Sequence, residues 1–214
     1  MPPDCESLAT SASREYGLPE GLLIAIARTE SGIAQQGQTL RAWPWTANIA
    51  GKSHYYDTRK AMLADLNRVR AANASNFDVG CMQLNYRWHG DSFDGLERMV
   101  DPETNVTYAA RYLRRLFEET GSWEGATRYY HSRDPDRGAA YLVRVRRMQA
   151  MVAGAGSELL PQDDVRQIAA TLPSRVSDER FRKLRPQVDQ LELRSYWEGA
   201  KLAEGSLPKL PGQP

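Results

Sequence analysis

Leu18-Pro19-Glu20-Gly21-Leu22-Leu23-Ile24-Ala25-Ile26-Ala27-Arg28-Thr29-Glu30-Ser31-Gly32 puts a carboxylate on the apolar stripe of a helix. Leu22, Leu23 and Ile26 recur at helical spacing, and Glu30 falls four residues after Ile26 on the same face. A carboxylate pointed at apolar packing loses hydration and holds its proton to higher pH than a surface one. A general acid working near neutrality needs that property. The helix alone equally allows a terminal glutamate that reaches solvent where Ser31-Gly32 ends the turn.

Two further segments bear on the choice. Phe77-Asp78-Val79-Gly80-Cys81-Met82-Gln83-Leu84-Asn85-Tyr86-Arg87-Trp88-His89-Gly90 follows a glycine with amides and then a run of aromatics. Gly80 permits close backbone approach, and Gln83 and Asn85 can hydrogen-bond hydroxyl and acetamido groups. Tyr86 and Trp88 offer flat faces of the kind on which sugar rings stack, although an ordinary core segment with one exposed amide reads the same way. Ala126-Thr127-Arg128-Tyr129-Tyr130-His131-Ser132 ends a short predicted helix with two tyrosines, one of which can orient the acid or simply pack in the core.

In this order the three segments resemble the lysozyme-like lytic transglycosylases that cleave bacterial peptidoglycan, with an SLT-type catalytic domain. Glu30-Ser31 matches their Glu-Ser at a helix end, Gly80-Cys81-Met82-Gln83 their Gly-x-Met-Gln, and Tyr130-His131-Ser132 stands where Tyr-Asn-Ala is usual. The ordered trio covers about residues 5 to 150 and is more specific than any one motif. Two departures stand out. His131 replaces an asparagine, and the 50 positions from Glu30 to Gly80 exceed the spacing of compact members, implying an inserted hairpin or loop over the cleft. The resemblance implies Glu30 as catalytic acid and Ser31, Gly80, Met82, Gln83, Asn85, Tyr130 and His131 as substrate-binding residues.

The fold expected is mainly helical, a lysozyme-like α+β domain over residues 1–152, followed by a polar, proline-containing tail over 153–214 that is partly helical or disordered. At 214 residues with 41% hydrophobic content the chain suffices for one good-sized core. The 28 basic and 27 acidic residues leave a net charge of +1, which speaks against nucleic acid as a partner. No apolar run approaches the ~20 residues of a membrane span. Met1-Pro2-Pro3-Asp4 carries no basic-then-apolar signal, so the periplasmic location implied by the substrate requires a leader absent from this sequence.

Helices are expected over about 5–16, 19–30 with Pro19 in its first turn, a stretch capped by Asp57 with Met62, Leu66 and Val69 on one face, and 138–151 with Tyr141, Val145 and Met148 inward. Asp101-Pro102 opens another whose stripe is Val106, Ala109, Leu113, Leu116 and Phe117, and Ser122 caps the next. Residues 38–56 break the helical period around Gly51-Lys52 and read as an aromatic hairpin or lid, whose rings either line glycan subsites or form a satellite cluster. The arginines at 144, 146 and 147 read as a solvated face.

Cys5 falls on the stripe Cys5, Leu8, Ala12, Tyr16 of the first helix, and Cys81 lies inside the cleft motif. Either the two are bonded or both are free buried thiols. The extracytoplasmic substrate implied by the resemblance favours the disulfide. His54, His89 and His131 lie far apart without short-spaced ligand pairs, so no metal and no cofactor is expected. After Gly154-Ala155-Gly156-Ser157, the short amphipathic stretches at 165–170 and 188–193 suit either disorder or docking on a cell-wall-spanning machine, secretory or flagellar.

Three readings of function remain open from sequence. The first is a lytic transglycosylase forming 1,6-anhydro-muramic ends. The second is a hydrolytic muramidase with Asp78 as second carboxylate, and the third a non-catalytic glycan-binding or scaffold protein.

Overall fold

The computed structural model describes residues 2–34 and 40–154. Helix α1, Cys5–Tyr16, opens where the Asp4 side chain accepts the Glu6 N–H, and closes at Gly17. Its inward face is Cys5, Ala9 and Ala12 together with Glu6 and Ser13, while Leu8 and Tyr16 are half-buried. The expected stripe is rotated because Glu6 reaches inward to Arg28, which clasps it with two hydrogen bonds of 2.9 and 2.8 Å. A bidentate pair of this kind offsets the cost of burying the carboxylate.

Helix α2, Leu22–Ser31, begins three residues later than expected, since Gly21 takes a positive φ of 74° ahead of it and leaves Pro19 outside the helix. Leu22, Leu23, Ala25, Ile26 and Ala27 are its buried side. Two short strands, β1 (Gly32–Ile33) and β2 (Arg41–Ala42), pair antiparallel after it.

The expected hairpin forms from β3 (Thr46–Ile49) and β4 (Lys52–Tyr55). Its turn is Ala50-Gly51, with φ of 52° and 80°, rather than Gly51-Lys52. Two successive positive φ values give the turn whose twist matches that of its strands. The hairpin is the outer half of a four-stranded sheet ordered β4-β3-β5-β6, in which β5 (Phe77–Val79) and β6 (Leu84–Asn85) carry the central motif. In the segment leading into the hairpin, Trp43 meets Trp45 edge-on at 5.8 Å and donates its indole N–H to the Tyr56 carbonyl, while Tyr55 on β4 is exposed.

Between the hairpin and β5 lies α3, Arg59–Ala71, capped by Thr58 rather than Asp57 because the Thr58 hydroxyl is the group that accepts the Ala61 N–H. Met62 and Leu66 are buried and Val69 only half so. Short helices α4 (Tyr86–His89) and α5 (Leu96–Met99) lead to the long α6, Pro102–Thr120, which starts on the Asp101 cap with proline at its first position and stops at Gly121. The Ser122 cap opens α7, Trp123–His131. Helix α8, Pro135–Val152, begins three residues before the expected 138, because Asp134-Pro135 repeats the cap-and-proline signal of Asp101-Pro102.

Helices α1, α2, α6, α7 and α8 pack around one core in which Leu23, Ile26, Met82, Leu113, Leu116 and Tyr141 are essentially inaccessible. Among the described residues no helix is long and apolar enough to cross a membrane. The tail expected over 153–214 lies outside the described residues beyond Gly154.

Candidate active site

The site is assembled by the end of α2 meeting the turn between β5 and β6. Glu30 sits in the last turn of α2, and its neighbour Ser31 is fully buried. The Ser31 hydroxyl bridges the Ala27 carbonyl at 2.9 Å and the Cys81 carbonyl at 2.8 Å, locking the helix end onto the turn. Ser31 thus seats the acid.

Gly80 has a φ of 81°, and a Cβ there would stand 2.7 Å from the Asn105 amide. Both observations require glycine. The space is filled by Asn105 of α6, whose Oδ1 accepts the Met82 N–H at 3.0 Å, while its Nδ2 donates to the Val79 and Met99 carbonyls at 3.1 and 3.0 Å. Asn105 is not among the residues that the sequence motifs single out. The signal was the one that exposed Glu30, a polar residue beside a buried helical stripe, here that of Val106 and Ala109.

Gln83 adopts a φ of 44°, a conformation uncommon for a non-glycine residue and often stored at functional sites. Its amide nitrogen donates to the Thr46 and Gly80 carbonyls at 3.2 and 3.0 Å. Met82 is buried, and its carbonyl accepts the Tyr130 hydroxyl at 2.9 Å. Tyr130 is backed by a row of rings, meeting Tyr112 at 5.8 Å, which meets His89 at 5.0 Å, whose Nδ1 lies 3.0 Å from the Tyr108 hydroxyl. Burial pushes His89 down to about 4, so this row carries no imidazolium at neutral pH. Of the aromatics that follow the motif, Tyr86 stacks on Phe77 at 4.9 Å, whereas Trp88 is exposed.

Glu30 is half-buried by surface, yet protein surrounds its carboxyl closely enough that loss of hydration lifts it from its ordinary 4.5 to about 7. That value already includes the charge of Asp78, on β5, which adds to the rise, and Tyr141 and Arg144 of α8, which oppose it. Asp78 is itself raised by burial, against an opposing 2.8 Å hydrogen bond from Asn85 Nδ2, which also reaches Asn76.

Periodicity places Tyr141 on the inward stripe of its helix and gives no other reading of an inward tyrosine. Its hydroxyl is buried beside Glu30, near enough to stabilise the anion, but in a geometry that leaves it without a formed hydrogen bond. His131 lies exposed at the end of α7 with its ring stacked on Tyr141 at 4.5 Å, so the residue standing in place of an asparagine faces the same corner.

The structure therefore brings Glu30, Gly80, Met82, Gln83, Tyr130 and His131 to one place, with Asn85 one step removed through Asp78. Cys5 and Cys81 are joined by a disulfide, with Cα atoms 5.8 Å apart, tying α1 to the same turn. Among the described residues no group of histidine, cysteine and carboxylate side chains is arranged to hold a metal ion. Chemically the arrangement offers one carboxyl poised to give and retake a proton near neutrality, with a second carboxyl close behind.

Comparison with curated proteins and with solved structures finds no match. The family model described as the transglycosylase SLT domain matches residues 7–134, which contain Glu30, the Gly80–Gln83 turn and Tyr130. Over that span the chain belongs to the transglycosylase SLT domain family, with a lysozyme-like fold and the peptidoglycan-directed, lytic transglycosylase type of activity that the family carries.

Proposed function

We propose that the chain is a lytic transglycosylase that cleaves the β-1,4 bond from N-acetylmuramic acid to N-acetylglucosamine and leaves 1,6-anhydro-muramic ends. The observation that carries this reading is Glu30, held at about 7 where the three motifs converge. At that value the carboxyl is protonated in a large fraction of molecules at neutral pH and protonates the glycosidic oxygen as the bond breaks. An oxocarbenium-like state forms at C1, assisted by the substrate's acetamido oxygen. Ionised Glu30 then takes the proton of the C6 hydroxyl as that oxygen attacks C1, closing the anhydro ring and restoring the acid. The oriented intramolecular hydroxyl replaces water and its activating base, an advantage expressed in the high effective molarity of such groups. Mass spectrometry of digested peptidoglycan tests the reading, since anhydro products are lighter than hydrolytic ones by one water. Products carrying free reducing ends would overturn it.

A muramidase reading is favoured by one observation, the nearness of Asp78 to Glu30. If Asp78 activates water, Asp78→Asn loses a general base and the rate falls ~10²–10⁴-fold. We expect a loss below tenfold, with anhydro ends from both forms. Asp78 then acts mainly as a charge that raises Glu30.

We assign the protein to the periplasm, a reading supported by the Cys5–Cys81 disulfide, which persists in oxidising compartments. We also take residues 1–152 as the catalytic domain and the remainder as a tail that docks on a cell-wall-spanning machine. A chain truncated after residue 153 is expected to fold and to keep at least half of wild-type turnover on isolated cell walls. Failure to fold would place the tail in the core.

A further inference from the structure

Helix α8 carries arginines of two kinds. Arg146 is paired with Glu124 of α7. Arg137, Arg144 and Arg147 stand exposed on the outer side of the same helix, within one arc of about a quarter-turn. None of the three enters an ion pair among the described residues. The row spans about 15 Å along the helix axis.

Arg144 joins this row to the cleft. Its guanidinium lies 5.4 Å over the ring of Tyr141, the residue whose hydroxyl is buried beside Glu30. His131, stacked on the same ring, completes the corner, and the charges of both Arg144 and Arg137 act on it. Three like charges placed along one helix face repel one another, and Arg144 also lies within reach of the charge of Glu30. Guanidinium groups that make no ion pair and stand in a row favour a ligand with carboxylates at intervals, because each fork can take a carboxylate through two parallel hydrogen bonds.

We propose that the Arg137, Arg144 and Arg147 row binds the carboxylates of the peptide stem attached to the muramic residue in the cleft, so that the enzyme selects strands bearing anionic stems. This rests on the peptidoglycan reading above. Arg144, the middle member of the row, is the one whose charge acts on Glu30, so a stem leaving the reacting sugar meets the row there. That continuity favours the substrate's own peptide over an unrelated anionic polymer.

The test uses full-length protein carrying Glu30→Gln, so that cell walls stay intact, and cosedimentation with two preparations. One keeps its stem carboxylates; in the other they have been converted to amides of the same size. The parent is expected to bind the carboxylate form about tenfold more tightly, with the preference shrinking at high salt. Adding Arg144→Gln and Arg147→Gln should bring the ratio within about twofold of unity, and lysine at both positions should restore most of it. Equal binding of both preparations by the parent, or an unchanged ratio in the glutamine variant, overturns stem recognition. Cleavage by the wild-type chain is scored separately. Preference without cleavage upholds stem recognition and defeats the enzymatic reading, whereas cleavage without preference defeats stem recognition alone.

Discussion

Glu30→Gln is expected to lower glycan cleavage by at least ~10³-fold, within the range for loss of a general acid, and at the same time to make the folded domain more stable at pH 8. The amide keeps the shape and cannot give a proton. The stability gain follows from the carboxyl's shift from 4.5 to about 7. A group whose folded pKa is raised stabilises fully below its unfolded value, and that contribution is lost as pH rises through the folded one. A shift of this size corresponds to about 3 kcal/mol, so wild type at pH 8 carries that penalty and the glutamine variant does not. Below pH 4.5 the two should converge. His89 works in the opposite sense, since its depressed value of about 4 gives stability above 6.5 that is lost as pH falls through 4. Between about 4.5 and 6.5 the two slopes offset each other in wild type. Removing Glu30 leaves the slope of His89, so the variant's stability should rise with pH across this window while wild type stays nearly flat. Denaturant titrations at pH 4, 6 and 8 check both parts. Near wild-type turnover in the variant would remove Glu30 from the mechanism, and equal stability at pH 8 would show that the carboxyl is well solvated.

The elements that were legible in the sequence are those set by local chemistry. Asp101-Pro102, Ser122 and the Gly121 stop mark α6 and α7 correctly because caps and proline act within four residues. Glu30 was legible for a similar reason, since helical spacing alone puts it on the stripe of Ile26. What escaped depends on partners distant in the chain. The inward face of α1 turns on the Glu6–Arg28 pair, 22 residues apart, and nothing in the spacing of Cys5, Leu8 and Ala12 announces it. Asn105 supports a turn 23 residues before it. Tyr141 packs like a core residue and differs from one only in what its hydroxyl faces. Ser31 shows the converse case: the motif brought it into the site, but its role is fixed by the Cys81 carbonyl, 50 residues away, to which it donates. The hairpin was visible as a hairpin, while its partnership with β5 is a long-range pairing that alternation does not encode.

Loss of the Cys5–Cys81 bond should have the largest effect on stability of any change outside the acid. The bond closes a loop across a separation of 76 residues. In the chain-entropy account, a loop of that size restricts the unfolded ensemble by about 4.5 kcal/mol. Domains of this size are stable by only about 5–15 kcal/mol, so a Cys5→Ser, Cys81→Ser double variant is expected to retain a small margin and to unfold at a markedly lower denaturant midpoint. The effect should extend to activity. Cys81 supplies the carbonyl that holds Ser31, and the next residue supplies the carbonyl that holds Tyr130 and the N–H that Asn105 accepts. Freeing the turn from α1 therefore loosens the seat of Glu30 even in molecules that remain folded. Turnover measured well below the midpoint should fall several-fold, and reduction of wild type should reproduce both losses. A stability loss under 1 kcal/mol would mean that the bond restrains little of the unfolded chain. A large stability loss with unchanged turnover would mean that Asn105 alone holds the turn, and that the link to α1 serves the fold and not the site.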